Sequence, residues 1–447
     1  MTVATPATAA VILAAGKGTR MRSALPKVLH PVADRPMIHH VVAAAREIGA
    51  ERLVAVLSPG LGAVAQSLPG VAVAIQDPPL GTGHAVAAAL PVLEGFAGGV
   101  LILFGDTPLI EAATLLRLRA ALEAPGVAVA VLGFRPAVPG AYGRLVQDGA
   151  GHLTAIVEAA EATAGQLAIP LCNAGVMAIR AEHLAALVGA IGNGNAKGEY
   201  YLTDVVAIAR ARGLAAAVVE GAADEVLGVN SRLELAEAEA IFQARLRRRH
   251  MAAGVTFEDP ASVRLSADTV LGRDVTVAPQ VVFGPGVTVA DEVRIHAFSH
   301  LEGAAVAAGA IVGPYARLRP GAVVGAGAHV GNFVELKNTV LGEGAKANHL
   351  SYLGDATVGP GANIGAGTIT CNYDGFTKSK TEIGAGAFIG SNSALVAPVA
   401  VGAGAIVGAG SVVVEAVAAD ALYLERARPV QKPGWAARFR AAMRKSK

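Results

Sequence analysis

The stretch Ile383-Gly-Ala-Gly-Ala-Phe-Ile389-Gly-Ser-Asn-Ser-Ala-Leu395-Val-Ala-Pro-Val-Ala-Val401-Gly-Ala-Gly-Ala-Ile-Val407-Gly-Ala-Gly-Ser-Val-Val413 places an aliphatic residue at every sixth position. A helix does not repeat at six, and a simple alternating strand needs no Gly beside its buried residue. A solenoid does: each unit is one short strand plus a turn, the aliphatic side chain fills the interior, and Gly or Ala permits the tight corner. The period runs upstream through Val275/Val277, Val281/Phe283, Val287/Val289 and Val293/Ile295, then through Val324-Gly325, Val330-Gly331, Val358-Gly359 and Ile364-Gly365. It slips between Leu336 and Val358 and is interrupted from Thr370 to Thr381. Insertions in a solenoid become loops on one face, where sites gather. Residues 252–447 are therefore expected to form a parallel β-helix of hexapeptide repeats.

Before about residue 252 the pattern is different. Short apolar runs at Ala9–Ala14, Leu53–Leu57, Val71–Ile75, Gly99–Phe104 and Val127–Phe134 are separated by helical patterns near Pro36–Ile48, Gly62–Leu68, His84–Leu93 and Ala112–Leu122. That alternation implies an α/β domain with a mainly parallel sheet covered on both faces, spanning residues 1–230. Ser231 to Arg248 is rich in Ala, Leu and Glu and lacks Gly and Pro, so residues 231–251 read as a linker helix.

A chain of 447 residues exceeds one ordinary core, in keeping with this division. No stretch approaches the roughly 18 consecutive apolar residues of a membrane span. The opening Met1 to Ala10 carries no charge and does not read as a signal peptide. Cys172 and Cys371 are far apart, and two free thiols in a reducing, cytoplasmic setting are simpler than a pair. A net charge of +2 does not argue for nucleic acid.

Chemistry-bearing residues cluster in both parts. Leu13-Ala-Ala-Gly16-Lys17-Gly18-Thr19-Arg20-Met21, followed by Pro26-Lys27, comes directly after a strand. Glycines there admit backbone N–H groups to phosphate oxygens, and Arg20 and Lys27 can neutralise a triphosphate as pyrophosphate leaves. The string is neither a dinucleotide fingerprint nor a P-loop. Phe104-Gly105-Asp106 ends another strand, so Asp106 stands where ligands bind in open α/β sheets. It is a candidate Mg²⁺ ligand, or else a helix-capping Asp before Thr107-Pro108. In the solenoid, polar residues collect where the period breaks: Arg317-Leu-Arg319, Asn332 to Lys337, Lys346 to Asp355, and Asn363 to Gly375. His349 is the candidate base, since imidazole titrates nearest neutral pH and can take a proton from an attacking amine. Cys371 has no identifiable partner base of the kind a cysteine nucleophile needs.

Together these strings resemble, from about Val11 to Trp435, the bacterial family of bifunctional N-acetylglucosamine-1-phosphate uridyltransferase/glucosamine-1-phosphate N-acetyltransferases. The resemblance implies a Rossmann-like nucleotidyltransferase domain joined by a helix to a left-handed parallel β-helix, in a cytoplasmic homotrimer with sites at its seams. It implies acetyl transfer from acetyl-CoA to glucosamine 1-phosphate, then uridylyl transfer from UTP with release of pyrophosphate, in cell-wall precursor synthesis. Leu13, Ala14, Ala15, Gly16, Gln76, Gly81 and Thr82 would surround the uracil and ribose, and Gly143, Glu158, Asn173 and Asn230 the sugar and its phosphate. Asp106 and Asn230 would hold Mg²⁺. Arg319 and Lys337 would bind the phosphate of glucosamine 1-phosphate, with Tyr352 and Asn363 completing that sugar site. His349 would be the catalyst and Asn372 and Tyr373 would line the acetyl end. A backbone N–H near Ala366 would steady the oxyanion, and Ser391, Ala409 and Arg426 would serve the coenzyme. Glu199 to Asp204 matches the family, as a wall of the sugar pocket or an ordinary helix start. One departure stands out: where members often carry Lys two residues after the glutamate, this chain has Ala160.

Other classes remain as alternatives. A single-activity nucleotidyltransferase with a purely structural β-helix would be expected to lack His349 or Arg319, and a non-enzymatic module to lack Lys27 or Asp106; all four are present. The basic tail through Arg428, Lys432, Arg438, Arg440, Arg444, Lys445 and Lys447, around the single Trp435, is expected to be solvated and disordered at its end.

Overall fold

The structure, a computed structural model, describes residues 7–445 apart from Lys17 and Ala196, so the opening residues, Lys17 of the Gly-rich turn and Lys447 of the tail lie outside the described residues. The chain divides into two compact units, Met1–Arg245 and Leu246–Lys447, and the division falls within the helix Arg232–Ala252. That helix runs past Arg248 because nothing stops it until Gly254, whose φ of 101° requires glycine.

In the first unit the sheet order is Ala215–Glu220, Val127–Phe134, Cys172–Arg180, Gly99–Phe104, Thr8–Leu13, Arg52–Leu57, Ala72–Ile75. All neighbouring pairs are parallel except those made by Cys172–Arg180, which runs antiparallel between its two neighbours. Alternation along the strands feeds two cores, one on each face. Val11, Val54 and Ile102 pack on one side, and Ile12, Ala55 and Leu101 on the other, all without solvent exposure apart from the nearly buried Leu101. A hairpin, Arg144–Gln147 with Leu153–Val157, pairs to the end of Cys172–Arg180.

The second unit is a left-handed parallel β-helix. Its short strands stack into three all-parallel sheets, of ten, eight and eight strands. Coils of seventeen and eighteen residues are mixed, as the pairings Ile295↔Val312 and Val312↔Val330 show. This mixing explains the slip in period after Leu336. No loop opens there; the strands Lys346–His349, Tyr352–Gly354 and Ala356–Val358 continue the three sheets. The interruption after Thr370 does leave the solenoid, between the strands Ile369–Cys371 and Thr381–Ile383. The tail is exposed, as a solvated tail would be, but Trp435–Lys445 is helical, with Trp435 and Phe439 stacked at 5.2 Å; the last two residues lie outside the described residues. An Ala- and Arg-rich run without Gly or Pro has high helix propensity, and aromatic residues four apart meet on one face.

Candidate active sites

The first site opens at the carboxyl ends of the parallel strands, in a cleft of about 640 Å³ lined by Leu13, Ala14, Ala15, Gly16, Lys27, Gln76, Gly81, Thr82, Asp106 and Glu158 among others. Each is placed by local structure. Gly18 lies in the left-handed region at φ 61°, and a Cβ there would sit 2.5 Å from Lys27 Cβ, so glycine lets the two segments close. Gln76 is buried and donates through Nε2 to the Gly81 carbonyl at 2.9 Å. Thr82 Oγ1 accepts from the Leu202 N–H at 3.0 Å, tying the loop at Gly81 to the Glu199–Asp204 segment.

Asp106 and Asn230 are distant in sequence but adjacent here, because the Val229 N–H donates to the Asp106 carbonyl at 2.8 Å. The Lys27 ammonium pairs with the Asp106 carboxylate and donates to Asn230 Oδ1 at 3.0 Å. Two hard oxygen donors thus converge on one cation, the donor chemistry Mg²⁺ requires. Asp106 does not cap a helix with its side chain; Ala112–Ala121, the next α-helix, begins after Glu111.

Gly143 and Asn173 lie beside Glu158 rather than in the cleft's lining. A Cβ on Gly143 would stand 3.6 Å from Glu158 Oε2, and the Asn173 N–H donates to the Gly143 carbonyl at 2.8 Å. Burial pushes the Glu158 carboxyl above its ordinary range, with Lys197 opposing that shift. Arg20 is exposed and does not line the cleft; its charge bears on Glu234, whose carboxylate accepts from the Asn230 N–H at 2.8 Å. Ala160 does line it, and so does Lys197, which the sequence reading passed over.

The second site is built by stacking. Strand register sets Asn332 against His349, and His349 Nδ1 lies 2.8 Å from Asn332 Oδ1. The amide oxygen can only accept, so Nδ1 carries the proton and the Nε2 lone pair is left for substrate. Register carries the same edge upward: Ala347 pairs with Ile364, Ile364 with Ile389, and Ile389 with Val407. His349, Ala366, Ser391 and Ala409 each follow their strand residue by two, and so form one column, one residue per coil. Arg426 closes it, with Nη2 3.4 Å from the Ala409 carbonyl.

The neighbouring sheet supplies charge. Arg319 donates to Glu335 Oε1 at 2.9 Å, and Lys337 stands 3.5 Å from Asp355 Oδ2. Asp355 is nearly buried; burial disfavours its charge, but the amides of Asn338 and Asn372 and the Lys337 ammonium prevail and hold its carboxyl low. Tyr352 pairs in register with Glu335, and a Cβ on Gly354 would fall 2.4 Å from the Tyr352 hydroxyl, so glycine makes room for it. Asn363 pairs with Lys346 on the adjacent sheet. Tyr373 is exposed at the base of the insertion, where it bridges to Lys378. Lys378 lies against Lys337, whose charge depresses its ammonium, adding a third cation beside Arg319 that sequence spacing did not flag. Cys371 is exposed and Cys172 buried, and both are free thiols.

A sugar-nucleotide-type transferase cleft on an α/β sheet, followed by an imidazole-bearing β-helix, defines a two-site transferase. Residues 10–213 match the MobA-like NTP transferase domain family. The chain is 59% identical over 441 residues to the bifunctional protein GlmU of Azorhizobium caulinodans, covering 98% of each. It is 61% identical over 439 residues to that of Rhodospirillum rubrum, again 98% of each, and 55% identical over 434 residues to that of Paramagnetospirillum magneticum, 97% and 96%. The chain belongs to the GlmU family of bifunctional acetyltransferase/uridyltransferases, enzymes of UDP-N-acetylglucosamine synthesis that use Mg²⁺, acetyl-CoA and UTP. Among the described residues, no helix is long and apolar enough to cross a membrane.

Proposed function

We propose that each reaction is run by the residues gathered in one unit, in a cytoplasmic enzyme. In the β-helix, His349 Nε2 takes a proton from the amine of glucosamine 1-phosphate. The amine nitrogen then attacks the thioester carbonyl, the C–N bond forms, the C–S bond breaks, and the thiolate of coenzyme A takes up a proton. Arg319 and Lys337 hold the sugar phosphate, joined by Lys378, while Tyr352 and Asn363 orient the sugar. Asn372 and Tyr373 line the acetyl end. The column from Ala366 through Ser391 and Ala409 to Arg426 carries the coenzyme, and parallel strands spaced roughly 4.8 Å apart let a long donor lie across several coils.

In the α/β unit, an oxygen of N-acetylglucosamine 1-phosphate attacks the α-phosphorus of UTP, and the bond to the departing pyrophosphate breaks. No protein nucleophile is needed; the protein aligns the reactants and stabilises charge. Leu13 to Gly16, Gln76, Gly81 and Thr82 embrace the nucleoside, with Gly143, Glu158 and Asn173 on the sugar. Arg20, exposed beside the Gly-rich turn, would add charge at the triphosphate. Asp106 and Asn230 would hold Mg²⁺, which supplies a hard cation for phosphate oxygens. Lys27 then turns its ammonium from those two oxygens to the nucleotide.

We also propose a homotrimer with the acetyl-transfer sites at its seams. An exposed apolar column runs along the edge that bears His349: Phe298, Tyr315 and Phe333 stack at 4.9 and 5.0 Å, followed in the next coil by Leu350. A contiguous exposed column of this kind marks an association surface.

The observation that carries the two-site reading is the His349–Asn332 bond, which frees one defined lone pair in a unit separate from the Lys27–Asp106–Asn230 group. Purified protein given glucosamine 1-phosphate, acetyl-CoA, UTP and Mg²⁺ should yield free coenzyme A and pyrophosphate. His349→Ala should stop the first and spare the second when N-acetylglucosamine 1-phosphate is supplied. Loss of both in a folded protein would refute the two-site assignment.

A further inference from the structure

The described lining of the uridyl-transfer cleft carries more acidic than basic side chains: the carboxylates Asp106, Glu158, Glu161 and Glu199 against two ammonium groups, Lys27 and Lys197. Lys27 is engaged by Asp106 and Asn230. Both reactants are phosphate anions, and like charges facing each other in a cleft oppose binding. The rim formed by Ala159 and Ala160 offers no basic side chain at all.

Lys197 stands on the facing segment, and that segment is built. The Asn195 side chain accepts from the N–H groups of Lys197 and Glu199, both at 3.2 Å, and donates back to the Glu199 carbonyl at 2.5 Å. Gly198 takes the left-handed conformation at φ 65° to complete the turn. Tyr200 anchors the turn to the loop at Gly81, its N–H donating to the Leu80 carbonyl and its carbonyl accepting from Gly83, each at 2.8 Å. Gly81 is required for this contact, since a Cβ there would lie 2.7 Å from the Tyr200 carbonyl oxygen. The lysine is thus presented to the cleft from a pinned turn while its side chain remains exposed and adjustable. Its charge acts directly on Glu158, which is half-buried and also faces Glu161, Asp204 and the Thr203 hydroxyl.

We propose that Lys197 is a substrate-positioning residue of uridyl transfer, meeting the phosphate of the sugar 1-phosphate from the held turn that lines the cleft. It supplies from one rim the cation that the Ala159–Ala160 rim lacks. This rests on the uridyl-transfer reading above and adds a residue to it.

The test uses the full chain. Lys197→Ala should raise the KM for N-acetylglucosamine 1-phosphate about tenfold with a smaller change in kcat. It should also move the acid limb of kcat/KM to higher pH, because Glu158 loses the cation that opposes its burial. Acetyl transfer should be unchanged, which reports that the chain is folded. Adding Ala160→Lys to that variant should restore most of both effects from the opposite rim. An unchanged KM and pH profile would overturn the proposal, as would a loss that Ala160→Lys cannot rescue. Failure of the parent protein to release pyrophosphate from UTP with this sugar phosphate would instead overturn the uridyl-transfer reading itself.

Discussion

The two units solve the assembly of a site in opposite ways. In the α/β unit, Leu13, Gln76, Asp106, Glu158 and Asn230 come from strand ends and loops scattered over most of the domain, and only the strand order brings them together. In the β-helix, Asn332, His349, Ala366, Ser391 and Ala409 lie in a column because each is one coil beyond the last. Spatial proximity in the first unit is a property of topology; in the second it is a property of spacing. Cations are also handled differently. Lys27 sits among oxygens that a metal ion would take over, whereas Arg319 and Lys337 are each held by a carboxylate of their own.

The sharpest way to break this separation is His349→Ala. Losing the base should lower acetyl transfer by about 10²–10⁴-fold and leave pyrophosphate release unaltered in a sample supplied with N-acetylglucosamine 1-phosphate as well as glucosamine 1-phosphate. Lys27→Ala is the mirror experiment: uridyl transfer should fall by about 10²–10³-fold, with coenzyme A release unaffected.

A third prediction concerns stability and turns on a buried histidine of the α/β unit. His40 is 6% exposed, packs edge-on to Phe242 at 4.6 Å, and has Nε2 2.9 Å from the Val32 carbonyl. Burial, helped by the nearby Arg35 charge and against the bond to Val32, lowers its pKa from 6.5 to about 4. The unfolded chain therefore binds a proton that the folded unit refuses. Stability from this group is complete above about pH 6.5 and falls as the pH drops toward 4, by on the order of 3 kcal/mol. Calorimetry should show the α/β transition moving down between pH 7 and pH 5, and His40→Gln should flatten that dependence. The smallest effect is expected from Asn332→Ala. It leaves His349 in place but free to change tautomer, so acetyl transfer should drop about fivefold, in line with the ~1 kcal/mol of one hydrogen bond. A drop as large as that of His349→Ala would mean that the coil-to-coil bond does more than orient the ring.

The same contrast governs what could be read in advance. The hexapeptide period announced the β-helix, and the polar blocks at its irregularities hold His349 and most of the residues proposed for acetyl transfer. In the α/β unit the strand before Asp106 was legible as an apolar run, but the strand Cys172–Arg180 was not. Its pattern is broken by Asn173, Ala174 and Gly175, where the pairing with Val127–Phe134 shifts register. Lys197 and Lys378 carried no signal of their own, since an isolated lysine in a polar turn looks like any surface residue. Only their placement against Glu158 and Lys337 distinguishes them. The helical end of the chain was missed because a run of basic residues suggested solvation, while its Ala content and the Trp435–Phe439 spacing favoured a helix.

The stacked column on the β-helix has a consequence for how such a chain can change over generations. Each coil's strands pair only with those above and below, so a whole coil can be gained or lost while every later residue keeps its direction. Loss of one residue within a strand turns the rest of that strand's side chains to the opposite face, whereas loss at a corner is absorbed, as the mixed coils of seventeen and eighteen residues show. The solenoid behaves as a text ruled in lines of nearly equal length, and His349 keeps its place because each line is re-aligned on the one below it.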